Sequence, residues 1–384
     1  MVPPGRYLTG PIRLRSNVNL HVSAGATILF STDPDDYPLV HTRWQGIDLI
    51  NYSPLIYAYR EENVAITGGG TLDGQAGARH WWPWRGPWEG TIDHGWRPGM
   101  PYADAASDRL EALDRRGAPL AQRVFGNGSY LRPPMIQPFA CRNVLIEGVR
   151  LRRSPFWNVH PVRCRNVTVR GLDVFGLGPN TDGCDPESCS DVVIEQCRFD
   201  TGDDAIAIKS GRGPEAHRQA RPCEDIVIRH CTMARGHAGI AIGSEISGGV
   251  RNLVAHDCTI DSPGMMYAIR IKNNAARGGV LEHLRFRAIR VGRIGLGVIT
   301  CDFTYEEGAN GPYKPVLRDV SFERFDVRHG VRVLDAKGLP DAPIEQLTIR
   351  DSRFEGITEP SIVRFVDGLA LDHVRVDGRP VERL

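Results

Sequence analysis

A chain of 384 residues can carry one large domain or two ordinary ones, and 41% apolar with 24% charged residues supplies a sizeable core and a solvated surface. Lysine and arginine number 47 against 46 acidic residues, a net charge of +1, which excludes the broad basic footprint of a nucleic-acid or anionic-membrane binder. No apolar run reaches the roughly 18 residues of a membrane span, so any anionic ligand has to be held by a local basic cluster.

The chain starts MVPPGRYLTGPIRLRSNVNL, with no charged segment followed by an apolar one, and it opens on a Pro-Gly turn as if entering a fold already under way. With no leader in these residues a cytoplasmic protein is expected, a secreted or periplasmic one being the alternative if a leader has been lost. Nine cysteines without a compact spacing framework fit a reducing compartment, and equally buried free thiols.

A short phrase then recurs: a polar residue followed by apolar residues at +1, +3, +6 and +8. It begins at Asn17 and Asn63, reads most clearly from Asn143 (VLIEGVRL), and returns at Asn166, Asp191, Asp225, Asn252, His283 and Asp319, with weaker versions at Gln346 and His373. Apolar residues alternate inside each unit, and Gly, Asp and Asn punctuate the gaps, which is strand periodicity. Short strands at a period mostly in the twenties, without long helical patterns, predict an all-β solenoid whose coils bury their apolar sides on one another. Residues 1–384 then form one domain. Cys197, Cys231 and Cys258 share position +6 and should stack as an inward ladder of core thiols, an arrangement that needs no metal.

Residues 78–134 interrupt the repeat. They hold five of the seven tryptophans, a helix expected around Asp104–Arg116, and a Gly/Pro-rich return. Two readings stand side by side: a satellite core that holds the insertion, or an aromatic cleft wall in which Trp81 and Trp82 stack on sugar faces.

Beyond it lie two acidic stretches, Asn180-Thr181-Asp182-Gly-Cys-Asp185 and Thr201-Gly202-Asp203-Asp204, about one coil apart. A lone Asp beside Gly is usually a turn former, but carboxylates converging on one spot repel, a cost tolerated mainly where a raised pKa is useful. Counted from their unit openings, Asp203 and His237 are both at +12 and should be neighbours on consecutive coils. Ala268-Ile-Arg270-Ile-Lys272 aligns with Ala205-Ile-Ala-Ile-Lys209 and Gly239-Ile-Ala-Ile-Gly243. The isoleucines stay inward, so Arg270 and Lys272 should face outward with Asp203. Strict alternation would send Asp203 and Asp204 to opposite faces, so a bend after Gly202 is required. Acids without a nucleophile triad, zinc motif or phosphate loop fit glycoside hydrolysis, with one carboxylic acid protonating the leaving oxygen and another carboxylate activating water. Two candidate bases favour inversion, and the basic pair selects an acidic sugar.

At these residues the sequence resembles glycoside hydrolase family 28, the polygalacturonases and their relatives. Asn180-Thr181-Asp182, Gly202-Asp203-Asp204, Gly236-His237 and Arg270-Ile271-Lys272 occur in order, joined by TDGCDPESC, FDTGDDAIAIKSG and GSEISGGVRN, and weaker similarity reaches back to the start. The resemblance implies a right-handed parallel β-helix of the pectin-lyase-like type, inverting hydrolysis of α-1,4-galacturonosidic bonds in pectin, no cofactor and no metal. It implies Asp203 as general acid, Asp182 and Asp204 as the groups that hold and deprotonate water, and His237 as the support of the acid. Asn180 would contact substrate, and Arg270 with Lys272 would bind a galacturonate carboxylate. Two departures stand out: Ala238 replaces the usual glycine, where its methyl is expected to crowd the cleft, and the usual N-terminal cap is absent, which would leave the first coil exposed. The long stretch Ser210–Glu224, read as a loop, and the insertion over 78–134 look like the exo-acting members, in which loops close one end of the cleft. The expected partner is a pectic polysaccharide or oligogalacturonide, acted on by a monomer. Alternatives are a rhamnogalacturonan hydrolase, a calcium-dependent pectate-lyase-like enzyme, and a non-catalytic carbohydrate-binding β-helix.

Overall fold

The polar residue that opens each repeat unit lies in the left-handed region of backbone space, from Asn17 (φ 64°) through Asn143 (57°) and Asp225 (56°) to His373 (50°). This conformation is several-fold enriched in Asn, Asp and His, whose short polar side chains bond locally. Five residues on, a second left-handed residue turns the chain again, for example Gly148, Gly171, Gln196 and Asp257. Two corners at fixed spacing bend every unit the same way, and the units stack. The asparagines at the first corner bond along the stack: Asn63 donates to Asn17 (2.8 Å), Asn143 to Asn63 (2.8 Å) and Asn166 to Asn143 (2.9 Å).

A computed structural model describes all 384 residues as a right-handed parallel β-helix. Strands at the first corner make a twelve-stranded sheet, and those after the second make a thirteen-stranded one. The third face is a six-stranded sheet, Ile206–Ile208, Gly236–Ile242, Met265–Lys272, Gly297–Asp302, Arg332–Lys337 and Ile362–Arg364. Single bridges through Cys184 and Val159 continue it to Ile136–Phe139, Ile56–Tyr59 and Ile12–Arg13. Inside, like residues stack: Val144, Val167, Val192, Ile226 and Leu253 pair in register down one column. One contiguous core of 81 buried residues results. Cys197, Cys231 and Cys258 are buried in it as expected, and Cys141, Cys164, Cys189 and Cys223 are buried as well; the Cys141 and Cys164 amides donate to the sulfur of the next cysteine along. All nine thiols are free.

The helix in the insertion spans Asp104–Arg115, within a residue of expectation. Its Leu110 and Leu113 pack with Trp44, Ile47 and Leu49 of an antiparallel hairpin, Leu39–Trp44 with Ile47–Tyr52, and with Trp157. The satellite core is therefore real, but Trp81 and Trp82 are not in it. Both are buried in the main core, 2% and 8% exposed. Residues 210–224 are not all loop either: Gly213–Gln219 is a short helix with Pro214 in its first turn, where a missing N–H costs nothing. Arg123 of the insertion bonds Glu215 of that helix (2.5 Å), so the two additions brace each other beside the third face. The first strand, Gly5–Thr9, is exposed over nearly its whole length.

Candidate active site

The strand Arg198–Thr201 stops, the chain bends at Gly202 and Asp203, and Ile206–Ile208 begins. Gly202 makes this bend possible: a Cβ there would stand 2.2 Å from the Gly178 carbonyl oxygen of the coil before. The required bend thus exists, and it brings Asp203 and Asp204 to the same cleft. Ile206 pairs with Ile240, so His237 falls beside Asp203, its Nδ1 3.0 Å from Asp203 Oδ1. The Asp204 amide donates to the same oxygen at 2.9 Å. Asp182 belongs to the preceding coil, where the Gly183 amide donates to the Asp204 carbonyl (3.0 Å).

Of the three acids, only Asp203 has a side chain appreciably open to the cleft, at 15%; Asp204 is 1% exposed. Asp182 and Asp204 each leave one buried oxygen, Oδ1 in both, without a hydrogen-bond partner. A buried carboxylate oxygen left in this way retains the capacity to accept a hydrogen bond from water or a ligand hydroxyl.

Electrostatics separates the acids. Burial pushes Asp182 well above the ordinary carboxylate range, and the charges of Asp203 and Asp185 push it further. Burial acts on Asp203 in the same sense, but His237 beside it prevails and holds Asp203 below that range. His237 is raised in turn, chiefly by the Asp203 charge. The two acids are thus driven in opposite directions, Asp182 toward its protonated form and Asp203 toward the carboxylate that His237 faces.

The basic pair divides its work differently from expectation. Lys272 is almost fully buried and donates to Asp204 Oδ2 at 2.7 Å, so it is the counter-ion of a site acid and not a free clamp for substrate. Its ammonium is held charged by Asp204 against burial. Arg270 is the free member: its guanidinium lies over Tyr267 (4.3 Å) and Tyr305 (5.4 Å), and its Nε has no partner. Asn180 lines the cleft, but its amide nitrogen points at Asp203 Oδ2 (3.4 Å) and its oxygen accepts from buried Arg132 (2.7 Å). Trp81 and Trp82 do not face the cleft; Trp82 donates to the Ser154 carbonyl and Trp81 packs edge-on against Tyr37 and Trp84. Trp88, Trp157 and Tyr305 are the aromatic residues that line it. The Ala238 methyl does not crowd the cleft: it is buried with Ala207 and Ala241 against Tyr267.

Lys209 was missed. It is buried, bonds Glu245 (3.0 Å), stands 3.8 Å from Asp185 and lies over the Trp157 ring (4.3 Å). Its alignment with Lys272 in the repeat was the available signal. Asp203, Asp204 and His237 bring their ligand atoms within 4.8 Å of one another, close enough for a cation. The Lys272 ammonium already on Asp204 opposes a divalent ion there, and calcium takes oxygen ligands, not imidazole.

These groups share a cavity of about 250 Å3, walled by Gln45 of the hairpin, Arg85 and Trp88 of the insertion, and Tyr305 and Glu306 of a later loop. The model of glycosyl hydrolases family 28 matches residues 125–328. A probable polygalacturonase of Vitis vinifera is 28% identical over 363 residues, covering 91% of this chain; the chain spans 65% of that protein's length. An endo-polygalacturonase of Pectobacterium carotovorum subsp. carotovorum is 27% identical, with 80% of this chain and 68% of its own length covered. Among solved structures, a hyperthermoactive exopolygalacturonase from Thermotoga maritima is 42% identical with a TM-score of 0.94, over 100% of this chain and 85% of that one. A family 28 exopolygalacturonase of Yersinia enterocolitica, 21% identical with a TM-score of 0.70 over 99% of this chain and 73% of its own, shares the fold.

Proposed function

The chain belongs to glycosyl hydrolase family 28, and from that premise we propose that it is an inverting polygalacturonase that releases galacturonate from the ends of α-1,4-linked galacturonan. The observation that carries this reading is the meeting of three aspartates from two coils with the unspent guanidinium of Arg270, one coil beyond His237, in a cavity walled on several sides. A uronate carboxylate fits a bidentate guanidinium, and a walled pocket suits a chain end better than mid-chain. The likeness to the Thermotoga maritima exopolygalacturonase supports exo-action.

In the reaction Asp203, the most open of the three acids, faces the glycosidic oxygen. Its protonation is fed by His237 across the 3.0 Å hydrogen bond, and the negative charge of an arriving uronate favours that transfer. Asp204, paired with Lys272, takes a proton from water held with Asp182, and the water oxygen attacks C1 from the face opposite the leaving group. The C1–O bond breaks as the Asp203 proton reaches the leaving oxygen, and the anomeric configuration inverts.

A time course on polygalacturonate tests the assignment. Monomeric galacturonate from the first time point, as the β-anomer by NMR, is expected. A ladder of oligomers would replace exo- by endo-action, and an unsaturated, ultraviolet-absorbing product would sink the hydrolase reading.

A further inference from the structure

Five cationic side chains line the cavity, and three of them are already paired with acids. Lys209, Lys272 and His237 are spent on Glu245, Asp204 and Asp203. Two cations line the same cavity with no ion pair and no side-chain hydrogen bond: Arg270, described above, and Arg85. We propose that Arg85 is a second carboxylate-binding residue, holding the uronate on the opposite side of the scissile bond from the one that Arg270 holds. This rests on the polygalacturonase reading and deepens it, since it requires acidic sugar on both sides of the bond.

The positions support it. Arg85 closes a short 3-10 turn, Trp82–Arg85, whose Trp82 is buried, donates to the Ser154 carbonyl (2.9 Å) and lies against Gly178, two residues before Asn180. Arg85 is thus anchored over the coils at and before Asp182. Arg270 stands three coils beyond Asp182, roughly 14 Å along the axis at ~4.8 Å per coil, with Asp203 between. The turn that carries Arg85 is held by Trp82 in the main core, and the later part of the insertion by a helix and a satellite core.

A second observation points to an anion at this end. Arg132 is 2% exposed; its guanidinium lies over the Phe156 ring (5.1 Å) and donates to the carbonyls of Pro155 and Pro179 and to the Asn180 amide oxygen, with no carboxylate salt bridge. Burial, then the nearby Arg85 charge, lower it to about 9. Two guanidinium groups near one another, neither neutralised by a carboxylate partner, repel, and a bound uronate carboxylate relieves that repulsion.

The test uses digalacturonate and its two analogues in which one carboxyl group, at the non-reducing or the reducing unit, is reduced to neutral galactose. Arg85→Gln, Arg85→Lys and Arg270→Gln are compared with the parent chain. Arg85→Gln should lower kcat/KM on digalacturonate about tenfold or more, the size of a charge-assisted hydrogen bond. On one analogue it should cost nothing further, while Arg270→Gln behaves so on the other; Arg85→Lys should recover part of the loss. Equal losses from Arg85→Gln on all three ligands, or no loss on any, overturn the proposal. Binding of digalacturonate to Asp203→Asn with and without Arg85→Gln, by calorimetry, decides the same point without turnover. If the parent chain cleaves none of the substrates yet Arg85→Gln weakens this binding selectively, the functional reading fails and the carboxylate site stands.

Discussion

Lys272→Met separates two roles that the sequence alone had merged. Lys272 is buried, and its Nζ lies 2.7 Å from Asp204 Oδ2. At an effective dielectric of about 20 that contact is worth roughly 6 kcal/mol of Coulomb attraction, and removing one partner of a buried pair typically costs about 3–5 kcal/mol. Methionine keeps the volume but strands the Asp204 carboxylate beside Asp182. The fold is expected to lose that amount, read as a lowered Tm against the parent chain. A base left without its counter-ion should lower kcat, by at most the about 10²–10⁴ that general-base catalysis contributes, while KM on polygalacturonate stays within a few-fold because Arg270 is untouched. Initial rates over substrate concentration, with calorimetric melting, read all three quantities. A KM raised tenfold with kcat preserved would refute the counter-ion argument and restore Lys272 as a substrate clamp.

His237→Asn should move the alkaline limb of the kcat/KM profile to lower pH. The pair holds its proton on a histidine raised above 6.5 by Asp203, so activity and the stability contributed by the pair are present below about 6.5 and lost as pH rises through the raised value; an unshifted limb would refute the relay. Trp81→Ala should cost about 3–5 kcal/mol of stability by opening a cavity in the main core, with KM unchanged. A large KM effect with an unchanged melting curve would return Trp81 to the cleft.

The architecture was legible because it rests on local rules repeated many times. The polar residue at Asn63, Asn143 or Asp225 marks a left-handed corner, and counting from it placed His237 beside Asp203 to within one hydrogen bond. What could not be counted was missed. The hairpin Leu39–Trp44 with Ile47–Tyr52 and the helix Gly213–Gln219 occur once each, outside the repeat. Trp81 and Trp82 were assigned to the cleft on residue type, but burial depends on where a long insertion returns, and it returns with both rings inside the core. Lys272 faced the cleft as alternation demanded, yet its partner lies two coils away in space and 68 residues away in sequence, beyond any local pattern.

The repeat also accounts for how one face tolerates Asp182, Asp185, Asp203 and Asp204 together. Because Ile208 pairs with Ile242 and Ile242 with Ile271, the residues that follow them, Lys209, Gly243 and Lys272, form one row. That row runs beside the acids, and each lysine reaches its own carboxylates: Lys209 to Glu245 and Asp185, Lys272 to Asp204. Two lysines on adjacent coils would stand roughly 4.8 Å apart and repel; a coil between them doubles that to about 9.6 Å. The intervening position cannot accept a side chain, because Gly243 has φ +100° and a Cβ there would lie 2.3 Å from the Lys272 carbonyl oxygen. The glycine thus spaces the cations, and the spaced cations let the carboxylates of a hydrolytic site be buried side by side.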